Sequence, residues 1–258
     1  MTYEEILFSA EGSIAYLTLN NPGKINALSK KMIKELIHAL TTVSLDESIK
    51  VVILKATGKH FCAGHYLAEM VDHGVKEYKF IFDQCTKMMQ LIHEIPQPVI
   101  AQVQGIATAA GCQLVAWCDL VVAEEEAKFA TPGVKIGLFC ITPMVAVTRA
   151  IGRKAAMEML LTGRYFPAQE AKELGLINKV VPLSDLEKET KEMALQIAEA
   201  SGFVLEIGKQ AFYDQMDQTD DKALHYAKNT IIMNNMAEDA QNGIHAFLNK
   251  ETTQWKNR

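Results

Sequence analysis

The sequence lacks several features that would assign it to a common class of protein. No run of basic residues is longer than two, and the net charge is −5, which argues against nucleic acid because phosphate binding needs a concentrated basic face. No apolar stretch approaches the roughly 20 residues that cross a bilayer. The motifs G-x-G-x-x-G, the Walker loop and H-E-x-x-H are also missing. We therefore expect no metal, no redox cofactor, no nucleic acid and no membrane contact.

The cysteines and the first residues bear on the compartment. The five cysteines are odd in number and form no C-x-x-C pair, which indicates reduced, buried thiols instead of a disulfide framework or a zinc site. The segment Met1-Thr2-Tyr3-Glu4-Glu5 is acidic and lacks the basic and apolar regions of an export signal. Together these observations predict a cytoplasmic protein.

The front of the chain alternates between two kinds of apolar pattern. Helical periodicity is clearest after Ser29, a candidate N-cap, and before Pro96. Continuous apolar runs, typical of strands buried on both faces, separate the helical stretches. This alternation predicts parallel strands joined by crossover helices, and hence the α/β class. The predicted strands are 14–19, 51–55, 99–103 and 120–123.

Beyond about residue 143 the pattern becomes almost entirely helical. These helices have no sheet of their own to cover, so we expect some of them to pack on a neighbouring subunit. The helices predicted in this part are 184–200, 203–216, 219–235 and 236–250.

Two small-residue turns are the most informative segments. They are Phe61-Cys62-Ala63-Gly64-His65 and the stretch from Gly105 to Gly111. Small residues expose backbone N–H groups, and a helix N-terminus directs such groups toward one point. Two N–H groups that face each other form an oxyanion hole, which stabilises negative charge on a thioester oxygen. We expect each turn to open into a helix.

Five segments in order resemble the crotonase superfamily, also called the enoyl-CoA hydratase/isomerase family. The resemblance runs nearly end to end. Within the family, the chain is similar to a branch of enoyl-CoA hydratase domain-containing proteins that lack two catalytic glutamates. It implies an α/β fold with a crotonase-type core of repeated ββα units at 1–197. It also implies a helical trimerisation region at 198–258 and a homotrimer or a dimer of trimers. The five segments are 21–28, 61–65, 98–119, 161–176 and 246–250.

The resemblance also implies a ligand and its contacts. The ligand is a coenzyme A thioester, bound as a substrate of fatty-acid metabolism and not as a cofactor. The oxyanion donors are expected to be the backbone N–H groups of His65 and Ala110. The nucleotide end is expected to meet Phe247 and Lys250, across a subunit boundary. The other expected contacts are Lys24, Ile25, Ala63, Tyr66 and Leu67.

The chain departs from the family at both catalytic glutamates, which align with Gln113 and Gly133. A hydratase needs one carboxylate to deprotonate water and a second to handle the proton delivered to carbon. Gln113 can hold a water molecule but cannot take its proton, and Gly133 has no side chain. We expect hydratase or isomerase activity that is weak or altered. Three alternatives stay open: a silent acyl-CoA binder, a subunit that mixes with an active paralogue, and another thioester reaction that uses His65.

Overall fold

The computed structural model describes residues 2–258 and contains two sheets surrounded by helices. The strands are β1 (Ile6–Glu11), β2 (Ile14–Leu19), β3 (Val51–Ala56), β4 (Val99–Val103), β5 (Ile106–Thr108), β6 (Leu120–Glu124), β7 (Lys128–Ala130), β8 (Phe166–Pro167) and β9 (Lys179–Val181). The helices are α1 (Lys30–Ser44), α2 (Val75–Glu94), α3 (Ala110–Trp117), α4 (Ile141–Ile151), α5 (Arg153–Thr162), α6 (Ala168–Glu173), α7 (Leu186–Ala198), α8 (Gly202–Met216), α9 (Asp220–Met236) and α10 (Glu238–Asn249).

The larger sheet confirms the predicted α/β class. Its strand order is β1-β2-β3-β4-β6-β9, with β1 antiparallel to β2 and every later pair parallel. The four strands predicted from apolar runs are β2, β3, β4 and β6, and they form its centre. Each is largely buried, because helices cover both faces of a parallel sheet.

Helix α1 shows how the sequence sets an element boundary. The hydroxyl of Ser29 accepts a hydrogen bond from the amide of Met32 at 3.0 Å, which confirms the predicted N-cap. The buried face of α1 includes Leu36 and Leu40. It packs beside α2, whose buried residues include Met88 and Ile92, so two amphipathic helices cover one face of the sheet.

The smaller sheet has the order β5-β7-β8 and was not predicted. Its strands are only two or three residues long, too short for an alternating or continuous apolar pattern to emerge. This sheet matters for function because β5 leads directly into α3 and β7 ends next to the start of that helix.

Helix α8 is fastened to the core by a buried ion pair. The Lys209 side chain is 6% exposed, and its Nζ lies 2.9 Å from Oδ2 of Asp119. It also donates to the carbonyl oxygens of Ile92 at 2.6 Å and Gln97 at 2.8 Å. The Tyr213 hydroxyl donates to Oδ1 of Asp119 at 2.6 Å. The Asp119 carboxylate, between α3 and β6, thus holds α8 against the core.

A stack of three rings accompanies this ion pair. The His93 ring lies between Trp117 and Tyr213, with centroids 4.5 Å and 3.6 Å away and nearly parallel planes. Its Nε2 is 2.9 Å from the carbonyl oxygen of Trp117, the last residue of α3. Burial of His93 lowers its pKa to about 4. The C-terminal end of α3 is therefore held by α2 and α8 together.

One expectation about local structure needs correction. The first small-residue turn does not open into a helix: only a 3₁₀ turn, Leu67–Glu69, follows it, and α2 begins at Val75. The second turn is supported by Glu124, which is buried at the end of β6 and whose carboxylate accepts a hydrogen bond from the amide of Gly105. The cysteine prediction is confirmed, since all five thiols are free and buried.

Candidate functional site

The two small-residue turns lie side by side. The amide of Cys62 donates to the carbonyl oxygen of Ile106 at 3.1 Å, and the amide of Thr108 donates to the carbonyl oxygen of Cys62 at 2.9 Å. The Thr108 hydroxyl donates to the carbonyl oxygen of Ala63 at 3.1 Å. The first turn is thereby fixed against β5, which continues into the second turn and α3.

Two glycines allow the turns to approach this closely. Gly64 has a φ of +94°, and a Cβ there would lie 2.8 Å from the Cβ of Ala109 and 3.1 Å from the amide nitrogen of Ala110. A Cβ at Gly111 would overlap the carbonyl of Cys62. Glycine is therefore required at position 64 for conformation and space, and at position 111 for space alone.

The amides of His65 and Ala110 are free donors. Ala110 begins α3, so its N–H has no partner within the helix, and neither amide donates to another group within residues 2–258. Ala109, with φ 50° and ψ −120°, orients the Ala110 amide, and its own amide donates to the carbonyl oxygen of Ala130 at 2.9 Å. Because Gly64 packs on the Ala110 amide, the two free donors are neighbours, as an oxyanion hole requires.

The His65 side chain is held in an apolar setting. Its ring meets Phe82 of α2 edge-on, with centroids 5.4 Å apart. Both ring nitrogens are buried, and the backbone of Leu28 lies close enough to the ring to raise its pKa in part against the effect of burial. Burial lowers the pKa of His65 to about 4, since desolvation disfavours the charged imidazolium. The ring is therefore neutral at physiological pH and is a weak base.

The two positions that are expected to correspond to the family's glutamates differ in the space that they offer. Gln113, in the first turn of α3, is 6% exposed, and its Oε1 has no partner among residues 2–258. Gly133 is closed: a Cβ there would lie 2.6 Å from the carbonyl oxygen of Leu138 and 2.8 Å from Sγ of Cys140. The first position still offers a polar group near the oxyanion donors, whereas the second has no room for a side chain.

Thr131 is a polar residue of this region that the sequence did not single out. It is 0% exposed, and its Oγ1 has no hydrogen-bond partner within the part of the chain that the structure describes. The bond between the Ala109 amide and the Ala130 carbonyl places Thr131 next to the start of α3. A lone threonine after a strand carries no motif, so only the fold reveals it.

The expected coenzyme A loop is tied to the first turn. The amide of Ala63 donates to the carbonyl oxygen of Ile25 at 3.0 Å, and Ile25 itself has a φ of 50°. The ammonium of Lys24 lies 4.1 Å from the centroid of the Tyr66 ring. Leu67 is half exposed beside them. The structure thus brings these five residues into one continuous surface.

Asn26 organises this loop and was not predicted as a site residue. It is fully buried, and its amide group donates to the carbonyl oxygens of Thr57 and His60, each at 2.9 Å. Its Oδ1 accepts from the amide of Asn21 at 2.8 Å. The sequence offered one signal for this role: an asparagine within the segment 21–28, which was otherwise interpreted as a set of ligand contacts.

Phe247 and Lys250 remain apart from the two turns. Phe247 is 84% exposed in α10, and the Lys250 amide donates to the Phe247 carbonyl. Among residues 2–258, no hydrogen bond joins either of them to the two turns.

Residues 2–258 contain neither a cluster of metal ligands nor a membrane-spanning helix. No group of three histidine, cysteine, aspartate or glutamate side chains is placed to hold a metal ion. Among the same residues, no helix has both the length and the apolar character needed to cross a membrane.

Comparison with known proteins identifies the relatives of this chain. Residues 9–258 match the family described as Enoyl-CoA hydratase/isomerase. The mitochondrial enoyl-CoA hydratase domain-containing protein 3 of Danio rerio is 44% identical over 252 residues, which cover 97% of this chain and 87% of that protein. The Homo sapiens protein of the same name is 44% identical and is covered to 80%, with 94% of this chain aligned. The crystal structure of an enoyl-CoA hydratase from Mycobacterium smegmatis matches with a TM-score of 0.95 and 44% identity, covering 98% of this chain and 99% of that one.

The prediction of a cytoplasmic protein is wrong. The relatives from Danio rerio and Homo sapiens are both named mitochondrial proteins. The prediction depended on reduced cysteines and a missing export signal, and these observations separate secreted from intracellular proteins only. They do not distinguish the cytoplasm from the mitochondrion.

Proposed function

This chain belongs to the enoyl-CoA hydratase/isomerase family and has the crotonase fold, and from that membership we propose that it binds an acyl-CoA thioester and polarises the thioester carbonyl. The observation that carries the proposal is the pair of free, neighbouring amides of His65 and Ala110. The Ala110 amide lies at a helix N-terminus, whose partial positive charge adds to the stabilisation of an oxyanion.

The rest of coenzyme A follows from the surface that leads to the amides. The pantetheine and adenine lie along Lys24, Ile25, Ala63, Tyr66 and Leu67, whose contacts with one another keep this surface in place. Phe247 and Lys250 are exposed at the far end of the chain, so they reach the nucleotide of a neighbouring subunit.

The C-terminal region 198–258, as distinct from the core at 1–197, forms the trimer or the dimer of trimers in this proposal. Helix α9 supports it, because no residue of that helix is buried although several are large and apolar. Several large exposed apolar side chains on one helix are typical of an interaction surface. The exposed apolar side chains of α9 are Leu224, Ile231, Ile232, Met233 and Met236.

We propose that ordinary hydration of enoyl-CoA is slow. Each general acid or base is worth about 10²–10⁴ in rate, and neither Gln113 nor Gly133 supplies one. Weak hydration, isomerisation or a thioester cleavage by a Gln113-bound water remains within reach of the oxyanion donors. His65 is a weak candidate for a base in such a reaction, because its pKa is lowered to about 4.

A second candidate function is a chemically silent acyl-CoA binder that serves in storage or sensing. The closed position at Gly133 favours it, because the carbonyl of Leu138 fills the space that a second catalytic side chain would need. The two candidates share the ligand and differ only in turnover.

One experiment separates them. Purified protein is assayed with crotonyl-CoA and a longer 2-enoyl-CoA by the loss of enoyl thioester absorbance, and titrated calorimetrically with CoA and acetyl-CoA. We expect binding with little turnover. Ala110→Pro removes the donor and should abolish any turnover, whereas Ala110→Ser keeps the amide and should retain it. Absence of CoA binding, or turnover by a folded Ala110→Pro variant equal to that of the parent, contradicts the proposal.

A further inference from the structure

The segment 251–258 returns along α10 instead of continuing it. The segment is irregular, and its first amide, that of Glu251, donates to the carbonyl oxygen of Ala246 at 2.8 Å. Further on, the indole ring of Trp255 lies against Gly243, where an added Cβ would be 3.2 Å from the ring. The segment therefore contacts α10 in two successive turns of that helix.

The carboxylate of Asp239, in the first turn of α10, joins this segment to the start of α8. Asp239 is 0% exposed. Its Oδ1 accepts from the amide of Lys256 at 2.7 Å, and its Oδ2 accepts from the amide of Asn257 at 2.8 Å. Oδ2 also accepts from the hydroxyl of Ser201 at 2.5 Å, and Ser201 is the N-cap of α8. Hydrogen bonds to a charged acceptor are roughly twice as strong as neutral ones, so this carboxylate links three parts of the chain firmly.

Two further hydrogen bonds connect the segment with the place where α7 passes into α8. The indole N–H of Trp255 donates to the carbonyl oxygen of Glu199 at 2.6 Å. The side-chain oxygen of Asn257 accepts from the amide of Gly202 at 2.9 Å. The segment thus contacts both α10 and the junction at which the C-terminal helices leave the core, and it fixes the direction of α10 relative to that junction.

Helix α10 has little else to hold it in place. Of its twelve residues, all of which the structure describes, only Asp239 and Ala246 are buried, so apolar burial contributes little to its position. Phe247 and Lys250, the proposed nucleotide contacts, are exposed. Phe247 lies about 12 Å from Asp239 along the helix axis, at 1.5 Å per residue. A change in the direction of α10 at Asp239 therefore displaces both nucleotide contacts.

We propose that Asp239 and the segment 251–258 position Phe247 and Lys250 for the nucleotide of coenzyme A. The inference rests on the acyl-CoA binding proposed above and adds residues that act on that ligand through α10. Asp239 is the central positioning residue, because its carboxylate bonds to the segment and to the start of α8 at once.

The test compares a ligand that contains the nucleotide with one that lacks it. The full-length protein and its Asp239→Ala variant are titrated calorimetrically with acetyl-CoA and with S-acetylpantetheine, which ends before the diphosphate. The variant should bind acetyl-CoA roughly tenfold more weakly, the effect of losing one or two polar contacts. Its affinity for S-acetylpantetheine should equal that of the parent, whereas a general loss of structure would weaken both ligands.

Three results overturn the inference in different ways. Equal affinities of folded Asp239→Ala and the parent for acetyl-CoA overturn it alone, and so does an equal loss of affinity for the two ligands. Absence of binding by the parent to CoA and to acetyl-CoA overturns the proposed function as well. The matched control is Asp221→Ala, which removes an exposed aspartate from the first turn of α9 and should leave the affinity for acetyl-CoA unchanged.

A second comparison decides the inference without S-acetylpantetheine. In a chain that carries Phe247→Ala and Lys250→Ala, the addition of Asp239→Ala should cause no further loss of acetyl-CoA affinity, because the contacts that it positions are already absent. Losses that simply add overturn the inference. Trp255→Phe keeps the ring and removes the donor to Glu199; it replaces Asp239→Ala in both comparisons if that variant does not fold, with the same expected pattern.

Discussion

The closed space around Gly133 predicts that a carboxylate cannot be introduced there by simple replacement. Gln113→Glu combined with Gly133→Glu places a carboxylate at both positions that are expected to correspond to the family's catalytic glutamates. A Cβ at position 133 would, however, lie 2.6 Å from a backbone oxygen, closer than the 3.0 Å that Cβ atoms keep. That oxygen belongs to Leu138, whose own amide donates to the Gly133 carbonyl at 3.0 Å. This hydrogen bond closes the segment from Gly133 to Leu138, so the Leu138 carbonyl has little freedom to move away from a Cβ at position 133.

The cost of the substitution has two parts. Overpacking of a filled site costs about 1–3 kcal/mol, and a buried carboxylate without a partner adds a desolvation cost. We expect Gly133→Glu to lower the free energy of unfolding by about 3 kcal/mol. Gly133→Ala isolates the first part and should cost about 1–2 kcal/mol. The matched control is Gly208→Glu in α8, where a Cβ meets no atom within 4 Å and the change should stay near 0.5 kcal/mol.

The measurement combines urea unfolding with the crotonyl-CoA absorbance assay. The double variant should be destabilised and should not gain hydratase activity, and Gln113→Glu alone serves as the control for the first carboxylate. A double variant as stable as the parent that hydrates crotonyl-CoA rapidly would refute the reasoning, because it would show that the loop of Leu138 gives way.

Two further predictions concern the fastening of α8. Lys209→Met leaves Asp119 buried without its cation and should lower the free energy of unfolding by about 3–5 kcal/mol. Adding Asp119→Asn should recover part of this loss, because the uncompensated charge is then removed. Equal losses in the single and double variants, measured by urea unfolding, contradict this account. Burial lowers the pKa of His93 to about 4, below the roughly 6.5 of an unfolded chain. The contribution of neutral His93 to the free energy of unfolding is therefore fully present above pH 6.5 and is lost as the pH falls toward 4. His93→Phe should flatten that slope in urea titrations between pH 7 and 4.5, and a parent slope of zero would count against it.

The sequence was sufficient for elements whose pattern is local. The central strands have continuous apolar composition, and α1 and α2 have an apolar stripe, so each is recognisable without its neighbours. Ser29 was identifiable as a cap for the same reason, since its partner Met32 is three residues away. The fold was indicated by five segments that resemble the crotonase superfamily in the same order along the chain.

The rest of the site depends on residues distant in sequence. Whether Gly133 can be replaced depends on the backbone of Leu138 and on Cys140, which no pattern at Gly133 reveals. The position of Thr131 next to the start of α3 depends on the pairing of β5 with β7, strands too short to predict. The neutral state of His65 depends on its burial, which the sequence alone does not reveal.

The ion pair of Lys209 with Asp119 has a consequence for how this chain can be divided. The core and the C-terminal helices differ in secondary structure, which suggests two parts. A chain cut before α8 would nevertheless leave a carboxylate buried without its cation, and it would remove one ring from the stack at the end of α3. The helix that carries the Ala110 amide therefore shares its stability with α8, and the change in secondary structure near residue 198 is not a boundary between independently stable units.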